Sequence, residues 1–570
     1  MKRKKLLLIS LDALCESDFE TVRNLPNFSK IITEGAYCPH VNAVYPSLTF
    51  PCHTSIATGC TPDTHRIVNN YVFDPYAEKP SWNFYASNIK CKAIWDYARE
   101  SGKRVLSMSW PVSSGAKMTY SIPEMSPAKP RIWNAQNFMR QVNIVRRYGT
   151  PGFAVRTMLE TKGLTKAWFF GAQPDLDNLM MRSFEHNIVR RDFDIALLHI
   201  YGLDDAKHGN GIHGEKIDGY LRRYDAFLGR LMHYCDTRSN ENITLIATGD
   251  HGQKNVTWAI YGNMLLADMG LVTYENEHLS SYRVYLDSCD GMAYLYLADG
   301  ADSELAEQAI MRFTSLPGVK KVMRPEEFAP LGCDHKAYAV IEAEDGYQFE
   351  SGYKAAALSS DTRTVRSHYH GIHGYYPDTD GYRTMTWFYG QDVAPQQIPK
   401  MCITDILPSV LEWMQIPFGN MDGKAVPGLW SNFSGSLHKA LPLLLSGKKG
   451  WYKEQYSCTQ IGGKSRTCAF LFVKHICIRV LVQGICHTTL RSALWHRPDR
   501  RRKQLKPVKA QIVHPRKRCK KQSYRHKCMP QNTQPSRAVE KSVPQQAGDH
   551  PDKYASSCFR QHGTAHIQLF

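Results

Sequence analysis

The sequence predicts an α/β fold: a mostly parallel central sheet with helices on both faces, and inserted cap segments. Three observations carry this. First, four short runs are apolar enough for buried strands and too short for helices. They are Leu6–Leu11 (LLLISL), Ile195–Tyr201 (IALLHIY), Ile243–Thr248 (ITLIAT) and Thr384–Tyr389 (TMTWFY). Second, helical patterns lie between these runs, and strands that alternate with helices pair in parallel under cover on both faces. Third, 43% of the 570 residues are hydrophobic and 22% are charged, which excludes a disordered chain, a collagen and a coiled coil.

The start, MKRKKLLLISLDAL, imitates a signal peptide. Its apolar run is shorter than an h-region of ~7–15 residues, and it ends in Asp12 without a small-residue cleavage site. A buried strand is the better reading, and the expected location is cytoplasmic. The 16 cysteines agree: nine are scattered through residues 1–430 without paired or framework spacing, as free thiols in a reducing compartment. No uncharged apolar run reaches the ~18 residues of a membrane span.

Further along, Lys92–Glu100 (KAIWDYARE) reads as a helix stopped by Gly102. Ile217, Tyr220, Leu221, Tyr224, Phe227, Leu228, Leu231 and Met232 recur with the period of an amphipathic helix. Residues 115–190 break the rhythm with Pro123, Pro127, Pro130, Pro151 and Pro174. Their aromatics, Trp133, Phe138, Trp168, Phe169 and Phe170, mark an inserted cap. Residues 275–365 read as a second α+β insertion, with a helix near Ser303–Phe313 that ends before Pro317. Insertions of this kind shape the pocket above the strand ends.

Charge divides the chain at about Trp430. Residues 431–570 hold 27 Lys and Arg against 5 Asp and Glu, so the net charge of +18 belongs to this tail. Residues 1–430 are slightly acidic. The segments Arg497–Lys509 and Arg516–Lys527 are basic and show no strand or helix period. Three readings fit: a solvated disordered tail, a nucleic-acid-binding arm, or a stretch read out of frame. The expected organisation is one domain over 1–430 and this tail over 431–570.

The chemistry gathers where apolar runs stop. The first run ends at Asp12, the second leads into Asp204-Asp205-Ala206-Lys207-His208, and the third into Gly249-Asp250-His251-Gly252. Gly371-Ile372-His373-Gly374-Tyr375 stands just before the fourth. Ligands of open α/β sheets bind beyond the strand ends, so these segments are expected to converge. Singly, each has an ordinary use: Asp12 as a helix cap, Asp250-His251 as a buried pair, His208 at the surface. Together, carboxylates and imidazoles without thiolates suit zinc or a similar divalent ion, and their number suffices for two. Thr49, in YPSLTFPCHTS, precedes Pro51, which marks a helix start and would set the hydroxyl beside the helix's positive end. Its ordinary reading is an N-cap. Asn70 could donate to a phosphoryl oxygen or be a turn residue.

The order of motifs resembles the alkaline phosphatase superfamily, and within it the nucleotide pyrophosphatase/phosphodiesterase family. LDAL, PSLTFPCHTSIATG, PDTHRIVNN, AIW…SWP, DDAKH, TGDHG and GIHGY carry the likeness over roughly residues 5–430. The resemblance implies an alkaline-phosphatase-like fold and two zinc sites, one from Asp204, His208 and His373, the other from Asp12, Asp250, His251 and Thr49. His368 and His370 compete with His373, whose glycine-flanked setting favours it. The resemblance further implies that Phe50 offers a face to a nucleobase or other flat leaving group. Two departures stand out. Cys52 occupies a position where the family often has Asn, and Lys207 one where it often has Gly.

The implied activity is hydrolysis of a phosphodiester or pyrophosphate bond, of nucleotide type, through a threonyl-phosphate. A phosphomonoesterase or a phosphonoacetate-hydrolase-like enzyme on the same scaffold is the nearest alternative. A nucleic-acid binder acting through the tail is a remote one. The expected partner is a small phosphodiester or nucleotide, and the sequence leaves the oligomeric state open.

Overall fold

A computed structural model describes residues 2–77, 80–124, 135–161 and 172–431. The tail beyond Ser431 lies outside the described residues, as do Trp133, Trp168, Phe169 and Phe170 of the first cap.

Arg3–Leu11 forms a strand at the middle of a nine-stranded sheet. Its neighbours, Glu241–Thr248 and Ile195–Ile200, are both parallel to it. Val105–Met108 and Tyr120–Ile122 continue the parallel order on one side. On the other side Thr384–Gly390 runs antiparallel to Glu241–Thr248 and to Ala36–Asn42. The short Gln396–Gln397 and Met401–Cys402 both pair with Ala36–Asn42.

Unbroken apolar sequence suits these strands because both faces are covered. Leu7, Ile9 and Leu11 enter one core, shared with the buried stripe of the helix Glu215–Thr237. Leu6 and Leu8 enter the other, shared with the helices Thr49–Thr58, Ile94–Glu100 and Ile406–Met414. The expected stop at Gly102 is present, with φ 66 there and Lys103 N–H donating to Ala98 O at 2.8 Å. Without a Cβ, glycine takes this conformation cheaply.

The register aligns the strand ends. Leu6 pairs with Ile195 and Leu11 with Ile200, while Ser10 pairs with Thr248. Asp12, the segment after Ile200, and Gly249-Asp250 therefore leave the sheet on one edge. Thr384–Gly390 reaches that edge by its beginning, because it runs the other way. This brings the preceding Gly371–Gly374 segment there as well.

A second α+β segment covers this edge. Its four-stranded sheet orders Val284–Cys289, Met292–Leu297, Ala339–Ala343 and Val319–Met323, with the helix Ser303–Thr314 packed on it. Lys254–Tyr261 pairs with Gly346–Glu350, Thr364–Arg366 and Gly371–Ile372 and so links this segment to the main sheet's edge. Among residues 115–190, the stretch expected to form an inserted cap, the described part holds the helices Ala135–Tyr148, Pro151–Glu160 and Asp175–Arg190. Among the described residues, no helix is long and apolar enough to cross a membrane.

Candidate active site

Asp12, Asp250, His251 and Thr49 meet at one point. His251 Nε2 lies 3.3 Å from Asp12 Oδ1, 3.2 Å from Asp250 Oδ2 and 3.2 Å from Thr49 Oγ1. Glycine brackets the Asp250-His251 pair for a steric reason. A Cβ on Gly249 would sit 2.0 Å from Leu14 O, and one on Gly252 would sit 2.0 Å from Tyr382 O.

Thr49 is the first residue of its helix and Leu48 is the N-cap. This corrects the expectation that Pro51 marks the helix start, and it sets aside the ordinary reading of Thr49 as the N-cap. The hydroxyl faces His251 and makes no cap bond.

Beside this point lie Asp204, His208 and His373. Asp204 and His208 stand one turn apart on the helix Gly202–Asn210, with His208 Nε2 3.4 Å from Asp204 Oδ1. His373 Nε2 is 3.9 Å from the same oxygen. The His251 and His373 rings are 4.2 Å apart, so His251 adjoins both groups. Asp204, His251 and His373 can offer ligand atoms within 4.8 Å of one another, and so can Asp12, Asp250 and His251. His373 is fully buried, whereas His368 and His370 are exposed.

The donor set fits divalent cations. His208 Nδ1 bonds Gly371 O at 2.8 Å and His251 Nδ1 bonds Gly252 O at 3.2 Å, which turns both Nε2 atoms toward the carboxylates. Asp12 Oδ1, Asp250 Oδ2 and both ring nitrogens of His373 are buried without a hydrogen-bond partner. Burial, then the charge of Asp204, pushes the Asp12 carboxyl well up. Burial and Asp12 do the same to Asp250. Burial pulls His251 down to about 3, and burial with His251 pulls His373 well down. Burial also works against charge on His208, but Asp204 outweighs it and holds His208 at about 9. Crowded carboxylates, and the neutral imidazoles of His251 and His373, are what bound cations relieve.

Asn70 Oδ1 accepts from Phe50 N–H at 2.9 Å, next to the hydroxyl-bearing residue. Phe50 itself does not offer an open face. It is 1% exposed, packs with Ile67 and Val112, and sits 5.3 Å from the Trp82 ring and 5.7 Å from Phe84. The reading of Phe50 as a base platform is therefore corrected to a core aromatic. Cys52 is likewise buried in the core behind the helix. Lys207 does not project its charge into the cleft; its Nζ turns to Asp18 Oδ2 at 2.7 Å.

Sequence reasoning missed four residues that touch the cluster, one of them Asp290, whose Oδ2 lies 3.4 Å from His373 Nδ1. His199 bonds Asp12 Oδ2 at 2.9 Å and Ser109 O at 3.1 Å. His53 Nδ1 donates to Thr49 O at 2.7 Å and lies 3.4 Å from Asp250 Oδ2. Gln253 donates to the Asp204 carboxylate. His199 had a readable signal, an imidazole inside an otherwise apolar strand, since buried polar groups need partners.

Fold and site together define an alkaline-phosphatase-like α/β protein with a buried carboxylate–imidazole cluster around one threonine hydroxyl. The profile described as "Type I phosphodiesterase / nucleotide pyrophosphatase" matches residues 6–376, and the chain belongs to that family. Ectonucleotide pyrophosphatase/phosphodiesterase family member 3 of Rattus norvegicus is 32% identical over 257 residues, covering 43% of this chain and 24% of the rat protein. Venom phosphodiesterase 2 of Crotalus adamanteus is 26% identical over 266 residues, covering 45% of this chain and 28% of the venom protein. The chain thus spans about a quarter of the length of these curated relatives. Murine ectonucleotide pyrophosphatase / phosphodiesterase 5 shares the fold, with a TM-score of 0.52 and 18% identity over 75% of this chain and all of the murine one. An inactive variant of that murine protein is known in complex with AMP, with the same TM-score, identity and coverage.

Proposed function

We propose that the protein is a metal-dependent hydrolase of phosphodiester or pyrophosphate bonds, with nucleotide-type substrates, acting through a threonyl-phosphate. One observation carries the reading. A single imidazole nitrogen, His251 Nε2, is within 3.3 Å of Asp12, Asp250 and the Thr49 hydroxyl. Family membership supports the bond class, and the AMP complex of the murine relative supports the substrate type.

Asp204, His208 and His373 would hold one divalent ion, zinc by preference. Asp12, Asp250, His251 and Thr49 Oγ1 would hold the other. Such ions supply Lewis acidity that favours an ionised alcohol and offsets charge on phosphoryl oxygens. Thr49 Oγ1 gives its proton to solvent and attacks phosphorus; an Oγ1–P bond forms, the bond to the leaving oxygen breaks, and that oxygen takes up a proton from water. Water then cleaves the ester and returns the Thr49 hydroxyl. Asn70 positions the Phe50 amide and donates through Nδ2 to a non-bridging oxygen. A cytoplasmic location is proposed on the nine cysteines described, all of them free, and cell fractionation tests it.

The test is a comparison of bis-nitrophenyl phosphate with mono-nitrophenyl phosphate on the purified chain and on Thr49→Ala. Preference for the diester and loss of turnover in Thr49→Ala are expected. Preference for the monoester would instead select the phosphomonoesterase reading, and a fully active Thr49→Ala would remove the covalent step.

A further inference from the structure

Lys207 sits between Asp204 and His208, at the position where the family resemblance expects glycine, and it is fully buried. Its Nζ donates to Ala13 O at 2.8 Å and to Asp18 Oδ2 at 2.7 Å, and lies 3.5 Å from Cys15 Sγ. Asp18 Oδ2 also accepts from Cys15 N–H at 3.0 Å, which shapes the turn after Asp12. Ala13, with φ 61, is held at its other end too: its N–H donates to Asp250 Oδ1 at 3.0 Å. One peptide segment thus connects the carboxylate of Asp250 to the ammonium of Lys207, with Asp12 immediately before it.

The same lysine is fixed from behind. Its carbonyl oxygen packs on Gly371, where a Cβ would approach it to 2.6 Å. Gly371 O in turn accepts from His208 Nδ1 at 2.8 Å. The Lys207 side chain faces the Asp12 loop, and its backbone faces the strand that orients His208.

We propose that Lys207, through its Ala13 and Asp18 contacts, is a positioning residue that sets the separation of the two ligand groups. It would tie the helix carrying Asp204 and His208 to the loop carrying Asp12. The inference rests on the two-metal reading given above. Glycine at this position has no side chain to make such a link, so the device belongs to this chain's own sequence. A buried ion pair can also serve stability alone. The two roles separate when both charges are removed together, because that leaves no uncompensated buried charge.

The experiment uses the full chain and two variants, Lys207→Met with Asp18→Asn, and Asp18→Asn alone. Zinc content after dialysis, zinc affinity by chelator competition, thermal midpoint, and kcat and KM on bis-nitrophenyl phosphate are measured. The double variant is expected to keep a midpoint near the parent's and to hold zinc about 10–100-fold more weakly, the range found when groups that orient metal ligands are lost. Its kcat should fall while KM changes little. Asp18→Asn alone keeps the Ala13 bond but strands the Lys207 ammonium, so its midpoint should fall below the double variant's while its zinc affinity lies between the parent's and the double variant's. Parent-like zinc affinity and kcat in either folded variant would overturn the positioning role alone. A parent chain that binds no zinc would overturn the two-metal reading and this inference together.

Discussion

The Phe50 amide donates to Asn70 Oδ1 at 2.9 Å, so the residue after the Thr49 hydroxyl is held by the side chain expected to contact phosphate. This bond separates two functions of Asn70. Asn70→Asp keeps an acceptor for the buried amide but loses the Nδ2 donor and adds negative charge. Asn70→Ala loses both groups. Both should reduce kcat on a diester by about 10²–10³-fold, the usual result of deleting one oxyanion donor. Asn70→Ala should also lose about 1–3 kcal/mol of stability, the cost of an unsatisfied buried amide, whereas any loss in Asn70→Asp comes from burying a carboxylate and should shrink as pH falls. Steady-state kinetics alongside urea unfolding checks both halves.

Chelation should both inactivate and destabilise the protein. Burial and Asp204 disfavour an ionised Asp12, burial and Asp12 disfavour an ionised Asp250, and a cation binding only the folded state adds stability by mass action. Free zinc at about 100-fold its dissociation constant should contribute about 2.7 kcal/mol by that relation. Thermal melts of chelated and zinc-restored protein read the difference, and an unchanged midpoint would count against the site.

Stability should fall with rising pH through a group away from the cluster. Burial pushes Glu342 up to about 7 although Tyr45 and the Tyr376 amide bond its carboxylate. Because its folded pKa lies above the unfolded one, its contribution is complete below the unfolded value. It disappears as pH rises through about 7. The shift amounts to about 3 kcal/mol at 1.36 kcal/mol per pH unit. Glu342→Gln should therefore raise the midpoint at pH 8 more than at pH 5.

Phe50→Ala should act on stability and leave substrate choice alone. Removing a buried phenyl ring costs about 3–5 kcal/mol. The ratio of kcat/KM between nucleotide and nitrophenyl diesters should hold in whatever fraction stays folded. A selective rise in KM for nucleotides would return Phe50 to the base-binding role.

Much of the fold was legible because two-sided burial writes itself into strands as unbroken apolar runs. Leu6–Leu11 and Ile195–Ile200 show this directly. The meeting of Asp12 and Asp250 was legible because residues that stop such runs collect at one sheet edge; His373 joins them because its segment precedes a run that reaches that edge by its beginning. Lys207 was not, because which way a side chain points depends on partners remote in sequence. Nothing near position 207 announces Asp18. Phe50 failed for a related reason: Ile67, Trp82 and Val112 close over it from three separate stretches of the chain. The antiparallel direction of Thr384–Gly390 was equally hidden, since apolar content is the same in either sense.

That reversed strand bears on how the gene can vary. The ten residues from Gly374 to Arg383 form the bridge between His373 and a fixed ladder at Thr384. An insertion or deletion there displaces an imidazole directly. One placed just after Gly390 falls on the opposite rim, far from the cluster. Natural length variation should therefore accumulate on that distant rim and be purged from the bridge.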